Sequence, residues 1–307
     1  MSDFIIFRGS GELTKPATLL IEKVSDAFGG LCKPWQIRRI AKAEGNALKT
    51  KAQANAEAAL IEARSEIEIT ELQRRGVVRL FMEEGIKQGN MESILGKAIP
   101  LLKNSATPQD MENDWIVNLL DKCRLISDDG MQVLWAKILA GEANSPGSYS
   151  KRAVNVLASL DSIDAILFNQ LCRFVFRIES YFVPLVLNLN DLIYVDNNIN
   201  TNMLHDLAEI NLIALAGIGG TGFQGVPNII TASYHGSSFG IEFKTKADQA
   251  SKNYLNTGIV GLTKIGSELF RLCDVKPIDG FYDYAKNMLA KNEGIQIIEL
   301  RETWACP

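Results

Sequence analysis

Apolar side chains recur every three or four residues over most of the first half of the chain. Thr14 suits the N-cap of a helix opening near Pro16, because proline in a first turn gives up an N–H that had no partner. Leu20, Val24, Phe28 and Leu31 then form one apolar stripe, and Gly29-Gly30 and Pro34 punctuate its end. Such a stripe either packs on the protein's own core or lies on a membrane surface, with Lys33, Arg38 and Arg39 beside anionic lipid. From Trp35 to about Lys87 the residues predict one long helix. Alanines at 41, 43, 47, 52, 54, 56, 58, 59 and 63 alternate with Lys, Glu and Arg, all strong helix formers. Gly85 and Gly89-Asn90 are its expected end. Leu60 and Ile67 are seven apart but Arg74 breaks the series, so no three-heptad seam exists.

Met91–Leu102 then predicts a short helix and 103–109 a polar loop. Trp115, Leu119, Leu120, Cys123 and Ile126 mark a helix, and Asp128-Asp129-Gly130 a turn. Met131, Leu134, Trp135, Ile138 and Leu139 mark another helix, ending at Gly141. Helices are also expected over Ser150–Leu160 and Asp161–Phe176, with Asp161 and Asp164 at a helix start where carboxylates suit the dipole. After Leu187 the pattern changes. Met203–Leu207 is helical, and 217–227 is a glycine-rich loop. Ile230, Ala232, Tyr234 and then Phe239, Ile241, Phe243 alternate across His235–Ser238, which predicts a β-hairpin with a four-residue connection. A strand at Ile259–Leu262, a helix capped by Thr263 through Cys273, a helix over Phe281–Lys291 and an edge strand at Ile295–Leu300 complete the reading.

The fold class expected is therefore mainly α: a long N-terminal helix and a helical middle domain, followed by a small α+β, winged-helix-like C-terminal unit. The divisions are 1–102, 103–160 and 161–307. The winged-helix element is Leu204–Ile213, where a Leu-x-x-Leu helix stops at Asn211, a residue that tolerates a left-handed backbone. The hairpin would be the wing and Leu262–Leu269 the strand-to-helix return. Eleven acidic against seven basic side chains between Leu157 and Val275 weigh against phosphate binding, and only Lys244 and Lys246 cluster.

Composition narrows the chemistry. A net charge of −4 gives no overall attraction to nucleic acid or anionic lipid. The five cysteines (Cys32, Cys123, Cys172, Cys273, Cys306) form no CxxC pair and fit a reducing compartment. Phe4–Phe7 is too short for a signal-peptide core and no run of eighteen apolar residues exists. The expected location is the cytoplasm, with a peripheral position at the inner membrane as the alternative. Gly217–Gly222 matches a dinucleotide fingerprint superficially, but Gly225 and Pro227 leave no room for the helix that motif needs. The two histidines, His205 and His235, have no metal-ligand spacing, and neither a nucleophile elbow nor a phosphate loop occurs. No catalytic residue, cofactor or metal is expected, so the chain reads as a binding protein and not as an enzyme.

Two stretches carry a resemblance. One is Leu13-Thr14-Lys15-Pro16 through Lys23, continuing over Pro34-Trp35-Gln36-Ile37-Arg38-Arg39 to Glu44; the other is Met131–Glu142 with Pro146-Gly147-Ser148 and later Leu262-Thr263-x-x-Gly266. Together they resemble an uncharacterised bacterial family similar to the Abi-alpha abortive-infection proteins. That resemblance implies antiviral defence ending in growth arrest or membrane damage, and brings no catalytic motif. It makes Trp35, Arg38 and Arg39 candidates for an interaction element, against a buried indole with two solvated arginines. Lys244 and Lys246 are the candidates under the runner-up reading, a DNA-binding regulator; a peripheral membrane effector is the third. A homo-oligomer formed through Ala41–Ala63 and a protein partner, phage-encoded in the defence reading, are the expected associations.

Overall fold

A computed structural model describes residues 13–27, 70–217, 220–244 and 252–299. The chain divides into two compact units, Met1–Ala158 and Ser159–Pro307.

The first unit is helical. Helix α1 (Lys15–Ala27) turns Ala17, Leu20, Ile21 and Val24 inward until they are fully or almost fully buried. They pack on α3 (Asn113–Cys123) and the 3₁₀ turn Pro108–Asp110. The apolar stripe of α1 is thus taken up by the protein's own core. Helix α2 (Glu71–Ala98) begins at Thr70, which is extended (φ −67°, ψ 158°) and closes a capping box with Gln73. The single helix expected from Trp35 to Lys87 is therefore interrupted at Thr70. Its Ala41–Ala63 stretch lies outside the described residues. Nor do Gly85 and Gly89 end α2, because its last turns are packed on α4 (Asp129–Asn144) through Met91, Ile94, Leu95 and Ala98. Tertiary burial there outweighs about 1 kcal/mol of unfavourable propensity per glycine.

Asp128-Asp129-Gly130 is a helix start and not a turn: the Asp128 carboxylate accepts from the Met131 N–H at 2.8 Å and caps α4. Helix α4 runs past Gly141 to Asn144, and α5 (Lys151–Ser159) closes the unit. The segment behind the family resemblance is a structural clasp. Glu142, buried, accepts from the N–H groups of Gly147 at 2.6 Å and Tyr149 at 2.9 Å. Trp115 donates through Nε1 to the Tyr149 carbonyl at 2.7 Å. At Gly141 a Cβ would stand 2.6 Å from the Tyr149 ring, so that close packing needs glycine.

The second unit overturns the mainly α expectation. Among the described residues helix accounts for 53% and strand for 18%, and the C-terminal half is built on a five-stranded antiparallel sheet. Helix α6 (Ser162–Cys172), capped by Asp161 with Asp164, stops before Phe174. Where a continuing helix was expected, β1 (Val175–Ile178) turns at Glu179 into β2 (Tyr181–Pro184). The short helices α7 (Leu192–Val195) and α8 (Thr201–Glu209) follow. Asn211 takes φ 61° and hands the chain to β3 (Ile213–Leu215). After β4 (Thr221–Gln224) come β5 (Ile229–Tyr234) and β6 (Ser237–Phe243), then β7 (Tyr254–Gly258) and β8 (Val260–Leu262). Thr263 caps α9 (Lys264–Phe270), and α10 (Phe281–Ala290) and β9 (Ile295–Glu299) end the unit.

The large sheet has the order β2-β1-β5-β6-β9, while β3 pairs β8 and β4 pairs β7. The hairpin expected as a wing is therefore a central pair of the sheet, flanked by β1 and β9. It turns on two residues, not four. His235 (φ 44°) and Gly236 (φ 92°) are both left-handed, as a tight hairpin following the strand twist requires. The glycine-rich loop carries β4, so no phosphate-binding helix opens there. An aromatic core of Phe174, Phe176, Tyr194, Tyr234, Phe239 and Phe281 packs against the sheet, and its hydroxyls bond to backbone. The Tyr194 hydroxyl donates to the Leu185 carbonyl at 2.8 Å, and that of Tyr234 to the Arg173 carbonyl at 2.7 Å.

Burial in the first unit carries a pH signature. Glu92 accepts from Gln88 at 2.5 Å, yet desolvation holds its carboxyl above the ordinary value of 4.5. A raised folded pKa means that its contribution to stability is complete below 4.5 and is lost as pH rises through the folded value. Relative to E92Q, which has no such charge, the wild type should lose thermal stability between pH 4.5 and neutrality. Parallel melting profiles for the two proteins across that range would contradict this.

Candidate interaction surface

Helix α2 has two halves of different character. From Asn90 onward it is held rigidly by polar contacts as well as apolar ones. Asn90 donates to the Arg124 carbonyl at 2.9 Å, Ser93 to Gln132 at 2.8 Å, and Lys97 to both Gln132 and Asp129. The first half has fewer such contacts among the described residues. Leu72 is 72% exposed, Leu80 57%, Ile86 51% and Phe81 46%. Apolar side chains left in water along several turns of a helix anchored at its other end mark a contact surface.

The order of residues on this half is symmetric. Taking Arg79 as centre, positions equally distant on either side pair Glu71 with Lys87, Arg74 with Glu84 and Arg75 with Glu83. The apolar positions match as well: Leu72 with Ile86, Val77 with Phe81 and Val78 with Leu80. Along the sequence every acid is matched by a base and every one of these apolar residues by an apolar one. On the helix surface, Thr70, Arg74, Val77, Phe81, Glu84 and Gln88 are spaced 4, 3, 4, 3, 4, so they lie on one stripe. Two such helices laid antiparallel would bring Val77 of each onto Phe81 of the other, with Arg74 beside Glu84 at both ends.

Within one chain these charges are paired locally. Arg74 reaches Glu71 at 2.7 Å, Lys87 reaches Glu84 at 2.6 Å and Arg79 lies 3.5 Å from Glu83. The hydrogen bond from Lys87 holds the Glu84 carboxyl below its ordinary range, and that to Glu71 raises Arg74. Apart from Lys87, whose side chain is 20% accessible, these side chains are largely open to solvent, so the pairs add little to the stability of the monomer. They fix the charged state and direction of the side chains that an opposing helix would meet.

The residues expected to carry function do not assemble into a described site. Trp35, Arg38, Arg39 and Lys246 lie outside the described residues. Lys244 follows β6, exposed, with its backbone N–H on the Gly294 carbonyl at 3.0 Å. Among the described residues no group of His, Cys, Asp and Glu could hold a metal ion, and no helix is long and apolar enough to cross a membrane. Sequence reasoning missed the Glu71–Lys87 surface. The signals were present: Thr70-x-x-Gln73 is a capping box, and the charge-inverted symmetry can be read directly.

No curated protein and no solved structure matches the chain. One family model does, over residues 74–286, a span that begins within α2 and ends within α10. Because that match covers well over half of the sequence, the chain belongs to the family described as Protein of unknown function (DUF2806).

Proposed function

We propose that this protein is a non-enzymatic interaction protein which self-associates through the first half of α2, and that it serves in bacterial defence against phage. The observation that carries the first part is the charge-inverted symmetry about Arg79, which places Arg74, Val77, Phe81 and Glu84 on one stripe with Phe81 46% exposed. A two-fold pair of identical surfaces requires just such self-complementarity. Three of the buried titratable groups support a non-catalytic role, since their polar atoms grip the backbone: Glu142 the 147–149 loop, Tyr194 and Tyr234 the chain around the aromatic core. The defence setting rests on the resemblance carried by Leu13–Glu44 and Met131–Ser148.

Residues 71–87 span about 25 Å of helix at 1.5 Å per residue, a small contact, so dimerisation with a dissociation constant on the order of micromolar is expected. Phe81→Glu should abolish it, because a carboxylate would be buried against Val77 of the second copy. Light scattering should show the wild-type mass falling on dilution, and F81E monomeric with an unchanged circular dichroism spectrum. In cells, expression with the genomic neighbours should reduce plaquing by some phages in a broad panel, and F81E should restore it. Wild-type plaquing equal to that of an empty vector on every phage would remove the defence reading and leave the assembly untouched.

A further inference from the structure

The second unit holds a cleft of about 290 Å³ between β2, β4, β8 and α9, remote in sequence from the assembly helix. Its walls are aromatic. Tyr181 packs on Phe223 with ring centroids 5.1 Å apart, and Phe182 packs on Phe270 at 4.8 Å. Tyr181 nevertheless remains 60% exposed. One lining side chain is charged, Arg271, which is exposed and forms no ion pair among the described residues. Ser267 lies one turn earlier on α9, at the i, i+4 spacing that puts both side chains on one face, and it also lines the cleft.

The frame around the cleft is built to hold its shape. At Gly222 a Cβ would stand 2.3 Å from the Leu255 carbonyl, so β4 and β7 meet as closely as backbone allows. Thr221 bridges the two strand pairs, its hydroxyl 3.0 Å from the Thr257 hydroxyl of β7 and 3.3 Å from the Val260 carbonyl of β8. A guanidinium with no ion-pair partner among the described residues, a hydroxyl on the same helix face and open aromatic faces on a fixed backbone are complementary to one kind of ligand. A carboxylate or phosphate meets the arginine fork by two parallel N–H···O bonds, and a flat apolar group covers the rings. The volume sits at the small end of ligand pockets.

We propose that this cleft binds a small organic oxyanion, a carboxylate or a phosphate monoester carried on a planar apolar group. Arg271 takes the anion, Ser267 donates a further hydrogen bond, and Tyr181 with Phe223 stacks the apolar part. No bond is made or broken.

The test is a titration of the whole isotope-labelled protein, followed by amide NMR, with phenyl phosphate, benzoate, benzyl alcohol and inorganic phosphate. Both aromatic anions should move the amides of Gly222, Gly261 and Ser267 with millimolar affinity. Benzyl alcohol and inorganic phosphate should each bind about tenfold or more weakly, the loss expected for a missing charge-assisted bond or a missing stacked ring. Arg271→Gln should erase the advantage of the anions over benzyl alcohol while leaving signals of the first unit in place. The proposal is overturned if no probe moves those amides, if benzyl alcohol or inorganic phosphate binds as well as the aromatic anions, or if R271Q keeps the wild-type preference.

Discussion

Phe281→Ala is expected to lower the unfolding free energy by about 3–5 kcal/mol, a large share of what holds a domain of this size folded. Phe281 opens α10 and is fully buried. Its ring meets Phe174 edge-on at 4.8 Å, Tyr234 at 5.4 Å, Phe176 at 5.7 Å and Tyr194 at 6.2 Å. These partners come from the start of β1, from α7 and from β5, so one side chain joins segments far apart in sequence. The hydroxyls of Tyr194 and Tyr234 are tied to backbone carbonyls, which prevents those rings from moving into the space left behind. A cavity that cannot collapse keeps the full cost of lost contacts. Urea unfolding followed by near-ultraviolet circular dichroism should show the midpoint falling with little change in slope. A loss below about 1 kcal/mol would mean that the aromatic cluster is loosely packed.

Gly266→Ala should be nearly as damaging, although alanine is the better helix former. A Cβ at this position would stand 1.9 Å from the Leu212 carbonyl oxygen. That oxygen cannot retreat cheaply, because it accepts from the Thr263 N–H and the Thr263 hydroxyl, both at 3.1 Å. The same hydroxyl caps α9 by accepting from the Gly266 N–H at 2.9 Å. Relieving the clash would separate α9 from the turn at Asn211, at a cost of about 3 kcal/mol, against roughly 1 kcal/mol gained in propensity. Gly96→Ala supplies the opposite sign. No atom lies within 4 Å of a Cβ there, so the change should stabilise α2 by up to about 1 kcal/mol. If Gly266→Ala leaves the thermal midpoint unchanged or raises it, the packing assigned to Gly266 is wrong.

Much of the helical half was legible because its stripes are long and regular. Trp115, Leu119 and Cys123, or Trp135, Ile138 and Leu139, give a helix its buried face without ambiguity. The β5–β6 hairpin was legible too, through strict alternation. What failed was local. Val175–Ile178 follows a helix of apolar residues and is buried on both faces apart from Arg177, so neither period distinguishes strand from helix. Thr221–Gln224 and Tyr254–Gly258 contain Gly and Asn and owe their pairing to contacts some thirty residues away. The mainly α expectation followed from missing those strands. Gly89 and Gly141 read locally as helix ends, and burial carries the helices through both. The arginine cleft was invisible for a different reason: Tyr181, Phe223, Ser267 and Arg271 share no sequence neighbourhood and meet only through the sheet pairings.

The self-association proposed for α2 would depend on register as well as on apolar surface, and a charge swap reads that register directly. Arg74→Glu alone would set an acid opposite Glu84 of the second copy, and Glu84→Arg alone a base opposite Arg74. Each substitution should weaken association roughly tenfold at low salt, and the R74E/E84R double variant should recover it, since both cross-pairs are restored in reverse. The decisive measurement is the molar mass by light scattering at about 100 µM, well above the micromolar dissociation constant expected of so small a contact. The wild type and the double variant should approach the mass of two 33.9 kDa chains, and on dilution the single variants should fall back to the mass of one chain at about tenfold higher concentration than they do. A wild type that stays at 33.9 kDa, or single variants that associate as well as the double, would contradict the assembly.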